Sequence, residues 1–463
     1  MDEMAQPAVV AERTEAPDFT SLRQGLRGEL LVPSDPGYAA ARMVWNGMVN
    51  RHPAAIAYCA GTDDVIEAVN FARFASLPIA VRSGGHNVGG ASVCDDGLVI
   101  DLSRMKGIRV DDGRRVARAC AGLSLGEFDA ATQQFGLATT MGVNADTGIA
   151  GLTLGGGFGK LGRKFGLTCD NLLAADVVTA DGRLLHASQS ENEDLFWGLR
   201  GGGGNFGIVI AFEYRLHPIG TKMLAASAVF AEQHAREAMR FYYEFSSNAP
   251  DEVSVDAALA MQPSGERVFS ISACYCGPAE AGERVLRPII SHGNPIEARM
   301  TTVPYLHLQS VADSVFPRGQ RYYWKAQFLR DIPDAAIDAL LGAFAAAPSV
   351  KSLAVLQQVG GAIGRVPLSA TAFGHRDAAY DCFPVAIWQD AADDEANMSW
   401  ARDLWAAMRP FSTGGVYVNN LGDEGEDRVR AAYGANFHRL TTLKRAYDPT
   451  NLFRLNANIK PLP

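Results

Sequence analysis

Short apolar runs broken by glycine-rich loops organise the chain between residues 50 and 218. Ala54 to Cys59 alternates with the period of a strand. Thr62 is placed to cap a helix that starts at Asp63-Asp64, and Val65, Ile66, Val69 and Ala72 give that helix one apolar face. Leu77-Pro78-Ile79-Ala80-Val81 predicts the next strand, which completes a βαβ exit. The turn signal Asp95-Asp96-Gly97 then precedes another strand, Leu98 to Leu102. Upstream, residues 1–20 lack periodicity and read as a flexible arm. Ser34-Asp35-Pro36-Gly37-Tyr38 is a turn, and Ala39 to Met48 has helical spacing. The strand Ile208 to Leu216 closes this region at His217-Pro218.

The texture changes near Leu224. Helical segments, Ala231 to Phe245 and Pro333 to Ala346, are interspersed with the strands Val268 to Ala273, Arg321 to Leu329 and Ser352 to Val359. Strands flanked by helices predict an antiparallel sheet covered on one side. Farther on, Gly415-Val416-Tyr417-Val418-Asn419 reads as a strand and Arg428 to Arg445 as mainly helical, stopped by the turn Asp448-Pro449-Thr450-Asn451. The expected class is α+β, with a first domain over residues 21–222, a second over 223–410 and a C-terminal segment over 411–463. A chain of 463 residues exceeds what one core supports.

Composition excludes several classes. With 48% hydrophobic and 20% charged residues, a net charge of −9 and no dense basic cluster, the chain does not suit nucleic acid. No stretch is long and apolar enough to span a membrane, and the acidic start Met1-Asp2-Glu3-Met4 lacks the apolar core of a secretory signal, so a cytoplasmic protein is expected. Seven dispersed cysteines do not form a disulfide framework, and Cys274-Tyr275-Cys276 has no matching pair for a metal, so no metal site is expected. Oligomeric state is not legible in these residues.

The chemistry concentrates at Arg82-Ser83-Gly84-Gly85-His86-Asn87, directly after a predicted strand. Adjacent glycines let successive N–H groups converge on an anion such as a pyrophosphate. The His86 imidazole beside them can be joined to an electrophilic methyl carbon of the same ligand. That combination points to flavin, although an ordinary tight turn followed by a solvated histidine has the same letters. A second cluster, Gly142 to Gly162, contains Gly157-Phe158-Gly159-Lys160-Leu161-Gly162, which matches a dinucleotide fingerprint. A Rossmann fingerprint follows a hydrophobic parallel strand and opens a helix, and glycine-dense residues precede this one. It reads instead as backbone passing close to a flat ligand.

Five stretches, in order, carry a resemblance: Arg82 to His86; Gly155-Gly156-Gly157-Phe158-Gly159; Asp170-Asn171; Asp194 to Gly207; and Asp448-Pro449-Thr450-Asn451-Leu452-Phe453-Arg454. Together they resemble the FAD-linked oxidases of the vanillyl-alcohol oxidase superfamily, and within it the berberine bridge enzyme-like branch, from about residue 28 onward. The resemblance implies a two-lobed PCMH-type FAD-binding domain, a substrate domain, and a C-terminal segment returning to the FAD domain. It implies FAD held by a single covalent link from His86 Nδ1 to the 8α-methyl group. Arg82, Ser83, Gly84, Gly85, Asn87, Gly142, Val143, Thr147, Gly148, Gly151, Gly157, Gly207, Val209, Tyr417 and Asn419 would line the cofactor. Relatives with a second tether have a cysteine where this chain has Asn144.

The resemblance also implies a small-molecule substrate that gives up hydride from a C–OH or C–N centre, dioxygen as acceptor and hydrogen peroxide as product. Two positions depart from the family. Asn420 stands where many relatives have a catalytic tyrosine, and Val355 where several have a polar or acidic group. Tyr417 and Tyr323 are the candidate bases that remain. Tyr323, Lys325 and Gln327 on one period-two face, with Gln357 and Asn420, are the candidate substrate contacts. His375-Arg376 reads as a structural salt link. An oxygenating or rearranging enzyme of a secondary-metabolite pathway, or a flavin-holding protein without turnover, fits the same letters.

Overall fold

The helix that packs beside the first glycine loop forms because its apolar positions fall on one side: Val65, Ala68, Val69 and Ala72 of Thr62–Phe74 are all fully buried. Its start differs from expectation. Thr62 is the first helical residue rather than the cap, and Gly61 precedes it without a side-chain bond. The carboxylate of Asp64 instead accepts from Arg27, Gly28 and Ala60 N–H groups at 2.9, 3.0 and 2.7 Å. In this computed structural model, which describes residues 17–462, the helix lies beside a four-stranded sheet ordered Glu29–Leu31, Ala55–Tyr58, Leu98–Asp101, Ile79–Arg82. The last three strands are parallel. A second lobe is an antiparallel sheet of five strands, Ile108–Asp111, Val116–Cys120, Ile208–Arg215, Leu172–Val178 and Leu184–Ser188.

Most of the expected arm lies outside the described residues. Its last part packs: Phe19 is buried, with its ring 5.4 Å from that of Phe71. The helix expected over Ala39 to Met48 shrinks to Tyr38–Ala41. Tertiary contacts override its spacing. Trp45 Nε1 donates to Phe316 O at 3.0 Å, Asn46 Nδ2 to Val88 O at 2.8 Å and Tyr322 O at 2.9 Å, and Tyr322 N returns a bond to Asn46 Oδ1 at 3.0 Å. Those bonds tie the start of the first domain to the second.

The second domain is an eight-stranded antiparallel sheet. Its order is Glu297–Pro304, Lys222–Ala231, Arg267–Tyr275, Val253–Met261, Leu353–Gln358, Tyr380–Trp388 and Arg321–Trp324, with Gln327–Leu329 also on Tyr380–Trp388. The run expected as one strand from Arg321 to Leu329 therefore breaks at Lys325-Ala326. Helices Glu232–Asn248, Ala279–Ser291, Asp334–Phe344 and Asp394–Met408 cover one face and build a single core with it. The opposite face turns toward the first domain.

The expected strand at 415–419 is irregular chain ending in a short turn of 3₁₀ helix, Val418–Asn420. The helix expected from Arg428 to Arg445 is split into Glu426–Tyr433 and Phe437–Tyr447. Gly434, at φ +52°, breaks it, in the left-handed region that glycine tolerates. The tail rejoins the first core through Leu440, Leu443, Leu452, Phe453 and Ile459. Lys444 locks it there: the fully buried ammonium donates to Asn205 O at 2.8 Å, Asp448 Oδ2 at 2.6 Å and Phe453 O at 2.8 Å. Three acceptors match its three donors, which makes burial of the charge tolerable.

Among the described residues no helix is long and apolar enough to cross a membrane. Nor do three or more metal-ligating side chains converge among them.

Candidate active site

Gly84 and Gly148 bring the two glycine loops into backbone contact. A Cβ on Gly84 would lie 2.2 Å from Gly148 N, and one on Gly148 would lie 2.3 Å from Gly84 N. Only glycine permits that approach. Gly85 adopts φ +71°, and its carbonyl accepts from Trp45 N at 3.0 Å. The N–H groups of Gly84, Gly85, His86 and Asn87 meet no acceptor among the described residues. Successive unsatisfied donors on a turn make an anion cradle. Arg82 stands behind it, buried, with Nε on Asp101 Oδ2 at 2.5 Å and Nη1 without a partner. A cavity of about 260 Å³ opens at the loop, lined in part by Arg82, Ser83, Gly84, Ser124, Asp146 and Arg318.

These residues fit the diphosphate of a dinucleotide. The hydroxyl of Ser83 is committed to Ala121 O at 2.6 Å, so Ser83 reaches a ligand only through its main chain; Asn87 Oδ1 accepts from Ala91 N at 3.1 Å, which orients its Nδ2 as a further donor. Ala121 N in turn donates to Ile210 O at 2.9 Å, inside the register shift between Val209 and Ala211. That places Val209 two bonds from the cradle. Gly207, against Val177, immediately precedes the strand that holds Val209. Asn144 is buried at the second-tether position, with Oδ1 accepting from Asp146 N at 3.3 Å. Gly142 O accepts from Gln309 at 3.0 Å and Thr147 O from Leu125 at 2.8 Å, Val143 lies between them, and Gly151 is exposed.

His86 holds Asp146 Oδ1 through Nε2 at 2.5 Å, and Arg318 Nε binds Asp146 Oδ2 at 2.8 Å. The imidazole stacks on Trp45 at 4.8 Å, with Tyr322 on Trp45 at 3.8 Å. His86 Nδ1 meets no hydrogen-bond partner among the described residues.

On the sheet face opposite the helical layer, register aligns Ser272, Asp256, Gln357, Asp381 and Phe328 in one row across five strands. Directly paired residues share a face. Phe328 meets Phe158 and Tyr417 of the first domain and tail in one cluster, which fixes this row as the side facing the glycine loops. Asp381 is fully buried; Oδ2 accepts from Asn420 Nδ2 at 2.7 Å and Oδ1 has no partner. Burial pushes its carboxyl up to about 7, against the single stabilising bond from Asn420. Asp256 is half-buried, accepts from Gln358 N at 3.0 Å, and is pushed up by desolvation, an effect that the charge of Lys160 opposes.

Residues 53–188 match the family described as FAD binding domain, and residues 416–460 the family described as berberine and berberine like. An FAD-linked oxidoreductase of Dictyostelium discoideum is 33% identical over 423 residues, covering 90% of this chain and 91% of that protein. The chain belongs to the berberine bridge enzyme-like FAD-linked oxidoreductases. The (R)-6-hydroxynicotine oxidase of Paenarthrobacter nicotinovorans is 31% identical, covering 94% of this chain and 97% of the relative. The crystal structure of 6-hydroxy-D-nicotine oxidase from Arthrobacter nicotinovorans superposes with a TM-score of 0.88 at 28% identity, covering 94% of this chain and 98% of that one. BBE-like 1 of Physcomitrella patens gives 0.86 at 25%, covering 96% and 98%. The chain shares their two-domain α+β fold.

Against this berberine bridge enzyme-like frame, both candidate bases need correction. Tyr417 is buried, and its Oη accepts from Gly157 N at 2.9 Å and Asn419 Nδ2 at 2.7 Å. Burial pushes its phenol well up, so it is a fixed acceptor that ties the second glycine cluster to the tail rather than a base. Asn419 also donates to Leu152 O at 3.1 Å and fills the space beside Gly155. Tyr323, Lys325 and Gln327 share a face as expected, but it is the wrong one. Tyr323 Oη meets Arg402 at 3.4 Å, Lys325 pairs with Glu424 and lies 4.7 Å over Trp405, and Gln327 donates to Trp405 O at 3.0 Å. All three point to helix Asp394–Met408. Gln357 does face the first domain, beside Asp381, and Asn420 reaches the same row. His375 Nε2 donates to Ala431 O at 2.7 Å, and Arg376 clasps Asp170 with two bonds of 2.7 Å in the interior.

Sequence reasoning missed Asp381 and Asp256. Each is a lone carboxylate inside an otherwise apolar strand, Tyr-Asp-Cys-Phe-Pro-Val-Ala-Ile-Trp and Val-Ser-Val-Asp-Ala-Ala-Leu-Ala-Met. A single charge in such a run is the signal that would have found them.

Proposed function

We propose that this enzyme is an oxidase that takes hydride from a carbon bearing a hydroxyl or amine in a small organic substrate, with dioxygen as acceptor and hydrogen peroxide as product. Bound FAD supplies the hydride acceptor. The observation that carries the reading is Asp381: a carboxyl group near 7 with one oxygen fixed by Asn420 and the other unpartnered, on the sheet row that faces the flavin loops. A base poised near neutral pH is suited to take the proton of a substrate O–H or N–H as the neighbouring carbon loses hydride. Asn420 thus has a role although it replaces the family tyrosine: its amide aims the carboxylate. Gln357, next in the row, is a further contact for a polar substrate. Phe158, Phe328, Phe373 and Tyr417 pack together at this end and exclude water from it.

The cofactor residues support a single covalent link. His86 has Nδ1 free beside the phosphate cradle, and Asn144 cannot form a thioether. Similarity over nearly the whole chain to relatives named 6-hydroxynicotine oxidase supports oxidation of a small organic substrate.

The test is expression of the protein, acid precipitation, and a screen of alcohols, amines, sugars and phenols for peroxide release. A pellet that stays yellow, and peroxide formed in proportion to substrate consumed, are the expected results. A colourless pellet defeats the covalent link. Label from dioxygen appearing in the product would defeat the oxidase in favour of an oxygenating enzyme.

A further inference from the structure

Asp146 has no part in the reaction above, yet it joins two cationic or ionisable side chains, His86 and Arg318, beside the cradle. One oxygen holds His86 Nε2 at 2.5 Å and the other holds Arg318 Nε at 2.8 Å, while Arg318 Nη2 donates to Gly84 O at 2.5 Å. Desolvation pushes its carboxyl up, but the bond from His86 and the charges of His86 and Arg318 outweigh that and hold it below the usual carboxylate range. Asp146 is therefore an anion over the working pH range and can only accept. In the neutral imidazole the bond to Asp146 puts the proton on Nε2 and leaves the Nδ1 lone pair free. Trp45, stacked at 4.8 Å, fixes the plane of the ring.

We infer that Asp146, clamped by Arg318, is the positioning residue that makes His86 Nδ1 the nucleophile in its own attachment to the flavin; the inference rests on the covalent link proposed above. In the step, a bond from Nδ1 to the 8α-carbon replaces one C–H bond of the methyl group. The imidazole proton resides on Nε2, where Asp146 receives it. The two electrons released pass into the flavin ring and leave, with the methyl proton and the imidazole proton, to dioxygen as hydrogen peroxide. Asp146 opposes the positive charge that builds on the ring as the bond forms, as a buried carboxylate does for a histidine base. Arg318 belongs to the second domain and also grips the cradle carbonyl, so both domains contribute to the attachment site.

The experiment separates binding from attachment. Apoprotein is mixed with FAD in air; total bound flavin is read after gel filtration, and attached flavin after acid precipitation and by the mass of the His86 peptide. Wild-type protein is expected to bind and then attach FAD. D146N should bind FAD but attach it at least about tenfold more slowly, as loss of a charged partner of a reacting histidine costs on that scale. D146E should recover part of the rate. R318Q, which alters a side chain with 46% exposure that folding tolerates, should give a smaller slowing. Attachment at the wild-type rate in either D146N or R318Q overturns the inference and leaves the covalent link standing. Absence of acid-stable flavin in the wild type removes the link itself and this inference with it.

Discussion

The glycine loops of the first domain and the open sheet face of the second border the same cleft but are built on opposite principles. On the cofactor side the main chain does the binding, and side chains are excluded: an added Cβ at Gly84, Gly148 or Gly157 would lie within 2.5 Å of another atom. On the substrate side the main chain is fully paired in the sheet, and isolated side chains, Asp256, Gln357 and Asp381, project from it. A backbone site leaves little freedom to vary, because every contact needs the absence of something. A side-chain site on a regular strand can be rewritten one residue at a time without disturbing its neighbours, as Gln357 and Asp381 on adjacent paired strands illustrate.

The contrast is broken or sharpened by four substitutions. The largest effect belongs to Gly84→Ala. Its Cβ would meet Gly148 N at 2.2 Å, backbone against backbone, so the cradle must open, and purified protein should carry no flavin by its visible absorbance. Asp381→Asn should keep its flavin but lose activity by about 10²–10⁴-fold, the range for removing a general base.

The same residue sets a pH dependence. In the wild type kcat/KM should rise with pH through about 7, where the Asp381 carboxyl ionises, and the variant should lack that limb. Stability runs the other way. Because the folded pKa lies above the unfolded one, the native state holds the proton longer, and stability falls as pH rises from about 4 toward 7 and then levels. D381N should consequently melt higher than wild type at pH 8, by on the order of 1–3 kcal/mol. A lower melting point would show that the carboxylate has stabilising partners in the folded protein.

Tyr417→Phe removes the acceptor shared by Gly157 N and Asn419 Nδ2, which should cost about 1–3 kcal/mol in denaturant unfolding while leaving the acid limb in place. Loss of that limb would return Tyr417 to the role of base. Tyr323→Phe should do least. Its hydroxyl makes one 3.4 Å contact with Arg402 on the helical side, so stability should stay within about 0.5 kcal/mol and turnover unchanged.

What was legible in the chain follows the same division. Gly84-Gly85-His86 and Gly155 to Gly159 announce themselves because conformational demands are local and written in consecutive letters. The helix at 62–74 and the strand at 208–215 follow from periodicity. The face on which Tyr323, Lys325 and Gln327 lie is equally clear from alternation, but which face meets the cofactor depends on where helix Asp394–Met408 packs, and no local pattern encodes that. Asp381 was hidden for a related reason. It lies 39 residues from Asn420 in the chain, and the perturbed carboxyl exists only when the sheet, the tail and the first domain close over it. Trp45 and Asn46 show the same limit from the other direction, since their helical spacing yields to hydrogen bonds with residues 316 and 322.

The buried ammonium of Lys444 carries one more consequence. Its partners at Asp448 and Phe453 leave the ribosome after the whole second domain, and its third partner, Asn205, belongs to the domain made first. Vectorial synthesis therefore delivers the second domain complete while the first still waits for its keystone, and any nascent chain halted before Phe453 carries an unfinished flavin compartment into quality control.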